Sequence, residues 1–252
     1  MAEICAASLD EAWLGAVEAA CGAPEHEISP LVVGFDVHSD NLPPHYTGLR
    51  PALDEALVAS GRATVETVAN TLFPNSLWNP SRSRQRLFQR YLRILPALRR
   101  DSHNRRGIYF ERLINYPGTR GEEGKNQLDH IIETFNQGNH RRSALQAAIL
   151  NPLSDLTNSR QQGFPCLQQI AFAHNHNRGT LTITGFYAMQ YLFERAYGNY
   201  LGLKRLGDFM AHEMSLTLER VICIAAVGKL EVRVTEVQPL VSHFLLPLAA
   251  QM

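Results

Sequence analysis

The sequence has few cysteines and none in a pattern that builds a structural site. Its four cysteines are Cys5, Cys21, Cys166 and Cys223, and they form no CxxC pair and match no zinc-ligand spacing. Nothing in this spacing indicates a disulfide framework or a zinc domain. We therefore expect reduced thiols, as in proteins of the cytoplasm.

Net charge and long apolar runs are absent as well. The 252 residues include 24 Lys plus Arg and 24 Asp plus Glu, so the formal net charge is zero. The charge of the whole chain therefore predicts no polyanionic partner, and nucleic acid is not expected. No apolar run approaches the roughly 20 residues of a membrane-spanning helix. The first residues lack the basic and apolar parts of a signal peptide, so we expect a cytoplasmic protein.

What the sequence does contain suits one large hydrophobic core. Hydrophobic residues make up 45% of the chain, which predicts a single domain over residues 1–252 without repeat or linker. The first half is predicted to be mainly helical, with Ser8 as an N-cap and helices over 51–60 and 64–72. A long helix is predicted over 196–216. Strand patterns cover 31–37, 144–150, the residues after Cys166, 180–187 and 220–234. This order predicts an α+β domain with a mixed sheet and packed helices.

Asp36, His38 and Asp40 alternate at the end of the strand predicted over 31–37. On a strand these three side chains would share one face, and such a set can bind a metal ion. We favour turn residues leading into Asn41-Leu-Pro-Pro, and we predict no metal.

A basic segment runs from Arg82 to Arg106 and contains nine arginines. Leu87, Tyr91 and Ile94 are interleaved at helical spacing, which predicts a helix. A solvated helix face is the default interpretation. A site for nucleic acid or an anionic ligand is the alternative.

The Pro165-Cys166 pair stands directly before a strand pattern. A thiolate is the attacking form of cysteine, and nearby positive charge lowers the pKa that controls it. Arg160 and the pair Arg141-Arg142 precede it in the chain. The local residues alone favour a buried structural cysteine, with a nucleophile as the alternative.

The order of motifs in the second half resembles thymidylate synthase. Arg141-Arg142, Asn151-Pro152 and Pro165-Cys166 are followed by a strand hairpin and by Ala196-Tyr-Gly-Asn199 at the start of a long helix. The order and the approximate intervals agree with that family. The resemblance covers roughly residues 107–226.

Two shorter segments add to this resemblance. Arg106-Gly-Ile-Tyr109 is similar to the tyrosine-bearing stretch of the family. The segment Val65-Glu66-Thr-Val-Ala-Asn-Thr-Leu is similar to the helix that carries its active-site glutamate. The remainder of residues 1–105 is an atypical helical part.

The resemblance implies one-carbon transfer to C5 of a pyrimidine nucleotide or nucleoside-like substrate. Cys166 would add to C6 of the ring, because the ring carbon C5 becomes nucleophilic only after thiolate addition. The implied donor is 5,10-methylenetetrahydrofolate, and the product carries a methyl or a hydroxymethyl group. The implied assembly is a homodimer with a shared active site.

The resemblance also assigns roles to single residues. Arg141 and Arg142 would bind a substrate phosphate across the dimer interface and stabilise the thiolate. Asn199 would hydrogen-bond the pyrimidine edge, because an amide offers both a donor and an acceptor. Tyr109 would belong to the substrate site, and Glu66 would organise water and proton transfers.

The chain departs from the family pattern at several positions. Ala188-Met189 stands where the family has an Arg-Ser pair for phosphate, and Tyr191 stands where an Asp contacts folate. Leu167 follows the cysteine, where His is usual. The late His-x-Tyr that grips the sugar has no counterpart between Leu218 and Leu230. These departures predict a divergent member with a different pyrimidine substrate.

Two functions of other classes stay open. One is a catalytically inactive protein of the same fold that binds nucleotide or RNA, using the basic segment 82–106. The other is a Cys-His hydrolase. It would draw on His103, His130, His140 or His212, none of which lies in a recognisable motif.

Overall fold

The fold is mixed α/β, with helices packed on a mixed sheet. The computed structural model describes residues 1–37, 46–118, 124–158 and 164–249. The described strands are Ala2–Ala6 (β1), Glu27–Ile28 (β2), Leu31–Asp36 (β3), Gln146–Ala148 (β4), Leu167–Asn175 (β5), Thr180–Tyr187 (β6), Gln190–Tyr191 (β7), Thr217–Ala225 (β8) and Gly228–Lys229 (β9). The described α-helices are Leu9–Cys21 (α1), Leu49–Ala59 (α2), Val65–Leu72 (α3), Arg84–Leu98 (α4), Tyr109–Ile114 (α5), Gln127–Asn136 (α6), Pro152–Asp155 (α7), Tyr197–Glu213 (α8) and Val234–Ala249 (α9).

The main sheet has six strands in the order β1-β3-β8-β6-β5-β4. β1 pairs with β3 and β6 pairs with β8 in parallel, whereas the β3–β8, β5–β6 and β4–β5 pairs are antiparallel. A second, short sheet joins β2, β9 and β7. The expectation of a mixed sheet with packed helices is therefore confirmed.

One face of the main sheet is covered by helices. Side chains such as Val33, Ile183 and Cys223 point to this face and are buried, and α1 and α8 pack against it. α8 approaches closely because glycines leave room. A Cβ on Gly185 would lie 2.9 Å from Leu203 Cδ1. The other side of α8 contacts α3, so α8 lies between the sheet and that helix.

The opposite face of the sheet keeps an apolar row in partial contact with solvent. Val32 of β3 is paired with Ile224 of β8, which is paired with Phe186 of β6. Phe186 is 41% exposed, and Val32 and Ile224 are half-buried. We call the side of the sheet that carries this row the open face.

Several sequence predictions are confirmed. Ser8 is the N-cap of α1, and its hydroxyl accepts a hydrogen bond from the Glu11 N–H at 3.2 Å. The helices predicted over 51–60 and 64–72 are α2 and α3, and the long helix predicted over 196–216 is α8. β6 has the predicted bounds, and Gly179 takes a positive φ of 63° in the hairpin before it.

The expectation of a mainly helical first half is wrong in one respect, because residues 2–6 form β1 on the edge of the main sheet. Five residues with exposed Glu3 and Cys5 give too short an apolar pattern to read as a strand. The strand predicted over 144–150 shrinks to β4, since Arg142–Ala144 forms a 3₁₀ turn. On α4, Ile94 is exposed and Leu95 takes the buried position.

The pattern over 220–234 indicates one or two strands with Gly228 at a turn or bulge, and the structure has two strands there. β8 begins three residues earlier, at Thr217, and ends at Ala225. β9 follows at Gly228, and α9 begins at Val234. Buried residues from Ala6 to Phe244 form one hydrophobic cluster.

None of the helices in the described ranges is long and apolar enough to cross a membrane. In the same ranges, no group of three His, Cys, Asp or Glu side chains is arranged to hold a metal ion. Of the residues considered for a metal, His38 and Asp40 lie outside the described residues.

Candidate active site around Cys166

Cys166 is a free, partly buried thiol directly before β5. Its backbone carbonyl oxygen accepts the Ala188 N–H at 2.9 Å and the Gln168 Nε2–H at 3.2 Å. These bonds fix the Cys166 backbone between β5 and the end of β6. The predicted position at a strand end is confirmed.

Tyr109 lies beside this cysteine. It is the first residue of α5, and its hydroxyl oxygen is 3.5 Å from the donating Leu167 nitrogen. Its ring centroid lies 5.2 Å from that of Phe164. Phe164 in turn covers Gly107, where a Cβ would lie 2.7 Å from the ring. The glycine two residues before Tyr109 therefore allows this stack to form.

Tyr187 is a site residue that sequence reasoning missed. It ends β6 opposite Leu167, and its buried hydroxyl has no hydrogen-bond partner in the described part of the chain. Burial is the main cause that raises the pKa of Tyr187 well above its ordinary value. The charges of four neighbours raise it further: Cys223, Tyr109, Tyr200 and Cys166. Leaving such a group unpaired costs about 1–3 kcal/mol, which a bound molecule would recover. A tyrosine at a strand end gives no sequence signal that separates this role from core packing.

Arg195 is the second residue that the sequence did not reveal. It lies in a π-helical turn, Leu192–Ala196, between β7 and α8. Its Nη2 is 2.7 Å from Glu194 Oε1. The Glu194 N–H donates to Glu231 Oε1 at 2.6 Å, which anchors the turn. Such turns occur often at functional sites, but no residue pattern marks them.

Two opposing effects act on the pKa of the Cys166 thiol. Burial raises its pKa, and the positive charge of Arg195 lowers it, with burial prevailing. Among the described residues, Arg195 is the cation that lowers this pKa, and its effect is smaller than that of burial. Arg160, the closest upstream arginine in sequence, lies outside the described residues.

Asn199 lies on α8 and is only 5% exposed. Its amide makes no hydrogen bond to any residue in the described ranges, whereas the neighbouring Tyr200 hydroxyl donates to Gln190 Oε1 at 3.3 Å. An amide that is buried and free retains its donor and acceptor for a ligand. No described contact joins Asn199 to Cys166.

Glu66 has a different environment from the one expected of a proton carrier. Arg205 donates to both carboxylate oxygens at 2.9 and 2.8 Å, and Arg50 Nη2 donates to Oε2 at 2.7 Å. The hydrogen bond from Arg205, opposed by burial and supported by Arg50, lowers the pKa of Glu66 to about 2. The carboxylate is thus ionised near neutral pH, and it lies on α3, beyond α8 from the sheet. Its role in proton transfer stays a prediction.

Arg141 and Arg142 are at the other end of β5. Both are exposed, and Arg142 Nη2 donates to the His174 carbonyl oxygen at 2.7 Å. His174 is eight residues along the strand from Cys166, which corresponds to about 26 Å. Within one chain, the structure does not bring the arginine pair to the thiol.

Three histidines of the hydrolase alternative have other neighbours, and the fourth, His130, is exposed on α6. His103 is bound to Asp101, and His140 packs against Phe135 and His174. His212 packs against Trp78. None of these contacts includes Cys166.

A surface groove lies at the junction of β9 and α9. It is lined by residues from two stretches, Glu25–His26 and Lys229–Thr235. Its link to the site is Glu231, which accepts the backbone N–H groups of Phe193 and Glu194 in the π turn. We therefore place the candidate site at Cys166, where the nucleophile lies, and not in the groove.

No protein-family model matches the chain, and no curated protein matches it.

Proposed function

We propose that this protein has a thymidylate-synthase-like fold and transfers a one-carbon unit to C5 of a pyrimidine nucleotide or nucleoside-like substrate. The observation that carries the proposal is the free thiol of Cys166 at the start of β5, beside the phenols of Tyr109 and Tyr187 and, among the described residues, the guanidinium of Arg195. This arrangement combines a nucleophile with fixed hydrogen-bond donors and one positive charge.

In the proposed reaction, the Cys166 thiolate forms a bond to C6 of the ring and the electron pair moves onto C5 and the C4 oxygen. C5 would then bond to the one-carbon unit, the bond between that unit and the folate nitrogen would break, and C5 would lose its proton. Methylation and hydroxymethylation share these steps. The folate would then supply a hydride for a methyl product, whereas water would add for a hydroxymethyl product. Reversal of the thiolate addition would break the C6–S bond and free the enzyme.

The phenols contribute as hydrogen-bond donors. Burial raises the pKa of both Tyr109 and Tyr187 far above neutral pH, so each keeps its proton. The unpaired Tyr187 hydroxyl is the donor that a ring carbonyl oxygen of the substrate would satisfy. The free amide of Asn199 is proposed to bind the donor and acceptor edge of the base.

The one-carbon donor, 5,10-methylenetetrahydrofolate, is proposed from the resemblance alone and would supply carbon at the oxidation level of formaldehyde. The residue at the position of the family's folate-contacting Asp is Tyr191, which is 41% exposed on β7. A phenol does not reproduce the two acceptor oxygens of a carboxylate, so this residue does not fit that contact. No binding geometry for the donor is assigned.

A homodimer is part of the proposal. The open face offers an apolar row of Val32, Ile224 and Phe186. A two-fold axis makes each side of an interface contact the same surface of the other copy. If two open faces stack with β5 reversed, Arg141 and Arg142 of one chain approach Cys166 of its partner. The 26 Å separation within one chain is then no obstacle.

The test is intact-protein mass after incubation with methylenetetrahydrofolate and a panel of 5-fluorouracil and 5-fluorocytosine nucleosides and nucleotides. Fluorine at C5 blocks the proton loss, so the reaction should stop as a covalent ternary adduct. Cys166→Ala should abolish the adduct, and Cys21→Ser, at another partly buried cysteine, should retain it. An adduct that persists in Cys166→Ala, or none with any compound on folded protein, overturns the proposal.

A further inference from the structure

The basic segment predicted from the sequence forms a surface that the Cys166 site does not use. α4 buries Leu87, Phe88, Tyr91 and Leu95 and turns its other side to solvent. Seven arginines from this segment are exposed, and all of them except Arg99 have no ion pair with a described residue. We call these six the arginine surface: Arg82, Arg86, Arg93, Arg100, Arg105 and Arg106.

The remaining three arginines of the segment have structural roles, because each is paired with another part of the protein. Arg84 contacts Asp129 at 2.5 Å, Arg90 donates to the Leu77 carbonyl oxygen at 3.0 Å, and Arg99 is paired with Glu111. Each of these stabilises a contact between α4 and the body. The six members of the arginine surface make no hydrogen bond or ion pair to any side chain in the described ranges.

Charge is strongly segregated around this surface. Residues 82–106 hold nine arginines and one acid, Asp101, for a net charge of +8. The other residues hold fifteen basic and twenty-three acidic side chains, for a net charge of −8. A surface that only serves solubility interleaves both signs. The zero net charge of the chain therefore conceals a strongly basic local surface.

The spacing suits an extended anion. Arg86 and Arg93 are seven residues apart, so they lie on one side of α4 about 10 Å from each other. Arg100 continues the same seven-residue step just beyond the helix end. The 15 residues of α4 are about 22 Å long, close to the rise of six base pairs. Guanidinium groups bind phosphate oxygens through paired hydrogen bonds.

We propose that the arginine surface binds the phosphodiester backbone of a nucleic-acid duplex without reading its sequence. Single strands are less suited, because they need exposed aromatic rings for base stacking and Phe88 and Tyr91 are buried. A membrane is also less suited. A helix that binds lipid inserts its apolar side, and here the four residues of that side are packed into the core. Two large apolar side chains of α4 are exposed, Leu92 and Ile94.

The proposal is independent of the chemistry at Cys166 and is tested by binding alone. Fluorescence anisotropy is measured with labelled 20-base-pair RNA and DNA duplexes of mixed sequence, at 50 and 200 mM salt. With four to six phosphate contacts, affinity should fall roughly 10²–10³-fold between the two salt concentrations. The two duplexes separate a preference for RNA from one for DNA.

The decisive variant is Arg86→Gln/Arg93→Gln/Arg100→Gln. It should reduce the salt slope by about three and weaken binding to all sequences alike. The control variant, Arg178→Gln/Lys229→Gln/Arg233→Gln, removes the same charge elsewhere and should bind nearly as wild type. Replacing the first three arginines by Lys should preserve the salt slope, which separates lost charge from lost folding.

Three outcomes overturn the proposal, and a fourth, equal binding to a single strand, overturns its assignment to a duplex. One is equal affinity of the Gln triple and wild type, and another is equal weakening by the control triple. The third is binding to vesicles of anionic phospholipid while neither duplex binds. Equal affinity for a single strand of the same length would contradict the assignment to duplex.

Discussion

At the start of β5, the Cys166 thiol lies near the phenols of Tyr109 and Tyr187. Arg195 is the one cation among the described residues that lowers the pKa of this thiol, and burial still raises that pKa. At the end of the same strand, basic groups crowd together. Arg142 is bound to the His174 carbonyl oxygen, and the rings of His174 and His176 are 4.2 Å apart. Burial, then His176, Arg142 and His140, lower the pKa of His174.

The difference shows that each end has what the other lacks. The Cys166 end has one cation among the described residues for a thiolate and a phosphate, whereas at the other end neither Arg141 nor Arg142 is paired with a described carboxylate. A second copy with β5 reversed would bring the two ends together. The predictions below test whether this arrangement exists and how much each end contributes, in order of expected effect.

The largest effect is expected when both ends are removed in separate chains. Cys166→Ala and Arg142→Ala should each lower turnover by at least about 10³-fold, as losses of a nucleophile or an essential charge do. In a mixture refolded together, half of the dimers pair one variant of each kind, and each has one intact site. About a quarter of wild-type activity should return. Heterodimers that form without regaining activity would show that the site is not shared.

The open face should decide whether the two ends can meet. Ile224→Asp places a charge in the apolar row, and burying it in an interface is strongly unfavourable. We expect the dimer dissociation constant to rise about 100-fold or more, measured by light scattering after size exclusion. Val58→Asp is the matched control, since Val58 is 60% exposed on α2. If the wild-type protein is a monomer at micromolar concentration, the two ends of β5 do not meet in a dimer.

The sequence predicted the elements on either side of the thiol better than the site itself. β6, α3 and α8 follow from periodicity and caps, because those signals are local. Strand pairing places Tyr187 near Cys166, and a π turn places Arg195 near it. The spacing of residues along the sequence predicts neither feature. Residues 2–6 were missed because an edge strand of five residues needs its partner β3 to be recognised.

The thiol itself should respond moderately to its one cation. Arg195→Gln removes the charge that lowers the pKa of Cys166, so the pKa should rise further and alkylation at pH 8 should slow about 3–10-fold. Peptide mapping reads each cysteine separately, and buried Cys223, whose pKa is about 12, should stay unlabelled. Arg178→Gln, at the far hairpin, is the control.

Unchanged alkylation in Arg195→Gln would mean that the π turn does not supply charge to the site. Slower alkylation of Cys166 in the Ile224→Asp variant, in which the dimer is weakened, would show that the partner's Arg141 and the partner's Arg142 also lower the pKa of the thiol.

The smallest effect is expected at Glu66, which belongs to neither end of β5. Its pKa is lowered to about 2, so its ion pairs stabilise the fold above its ordinary pKa and are lost as pH falls towards 2. Because 44% of the side chain is exposed, Glu66→Gln should cost below about 1 kcal/mol at pH 7. The difference in urea unfolding between the two proteins should shrink from pH 5 to pH 3.

The same variant separates two roles for Glu66. If it only joins α2, α3 and α8 through Arg50 and Arg205, Glu66→Gln should form the fluoropyrimidine adduct within about twofold of the wild-type rate, since stability hardly changes. Loss of the adduct by tenfold or more in a stable protein would instead support proton transfer. The site would then extend past α8 to α3, and Glu66 would act in the reaction together with residues from the two ends of β5.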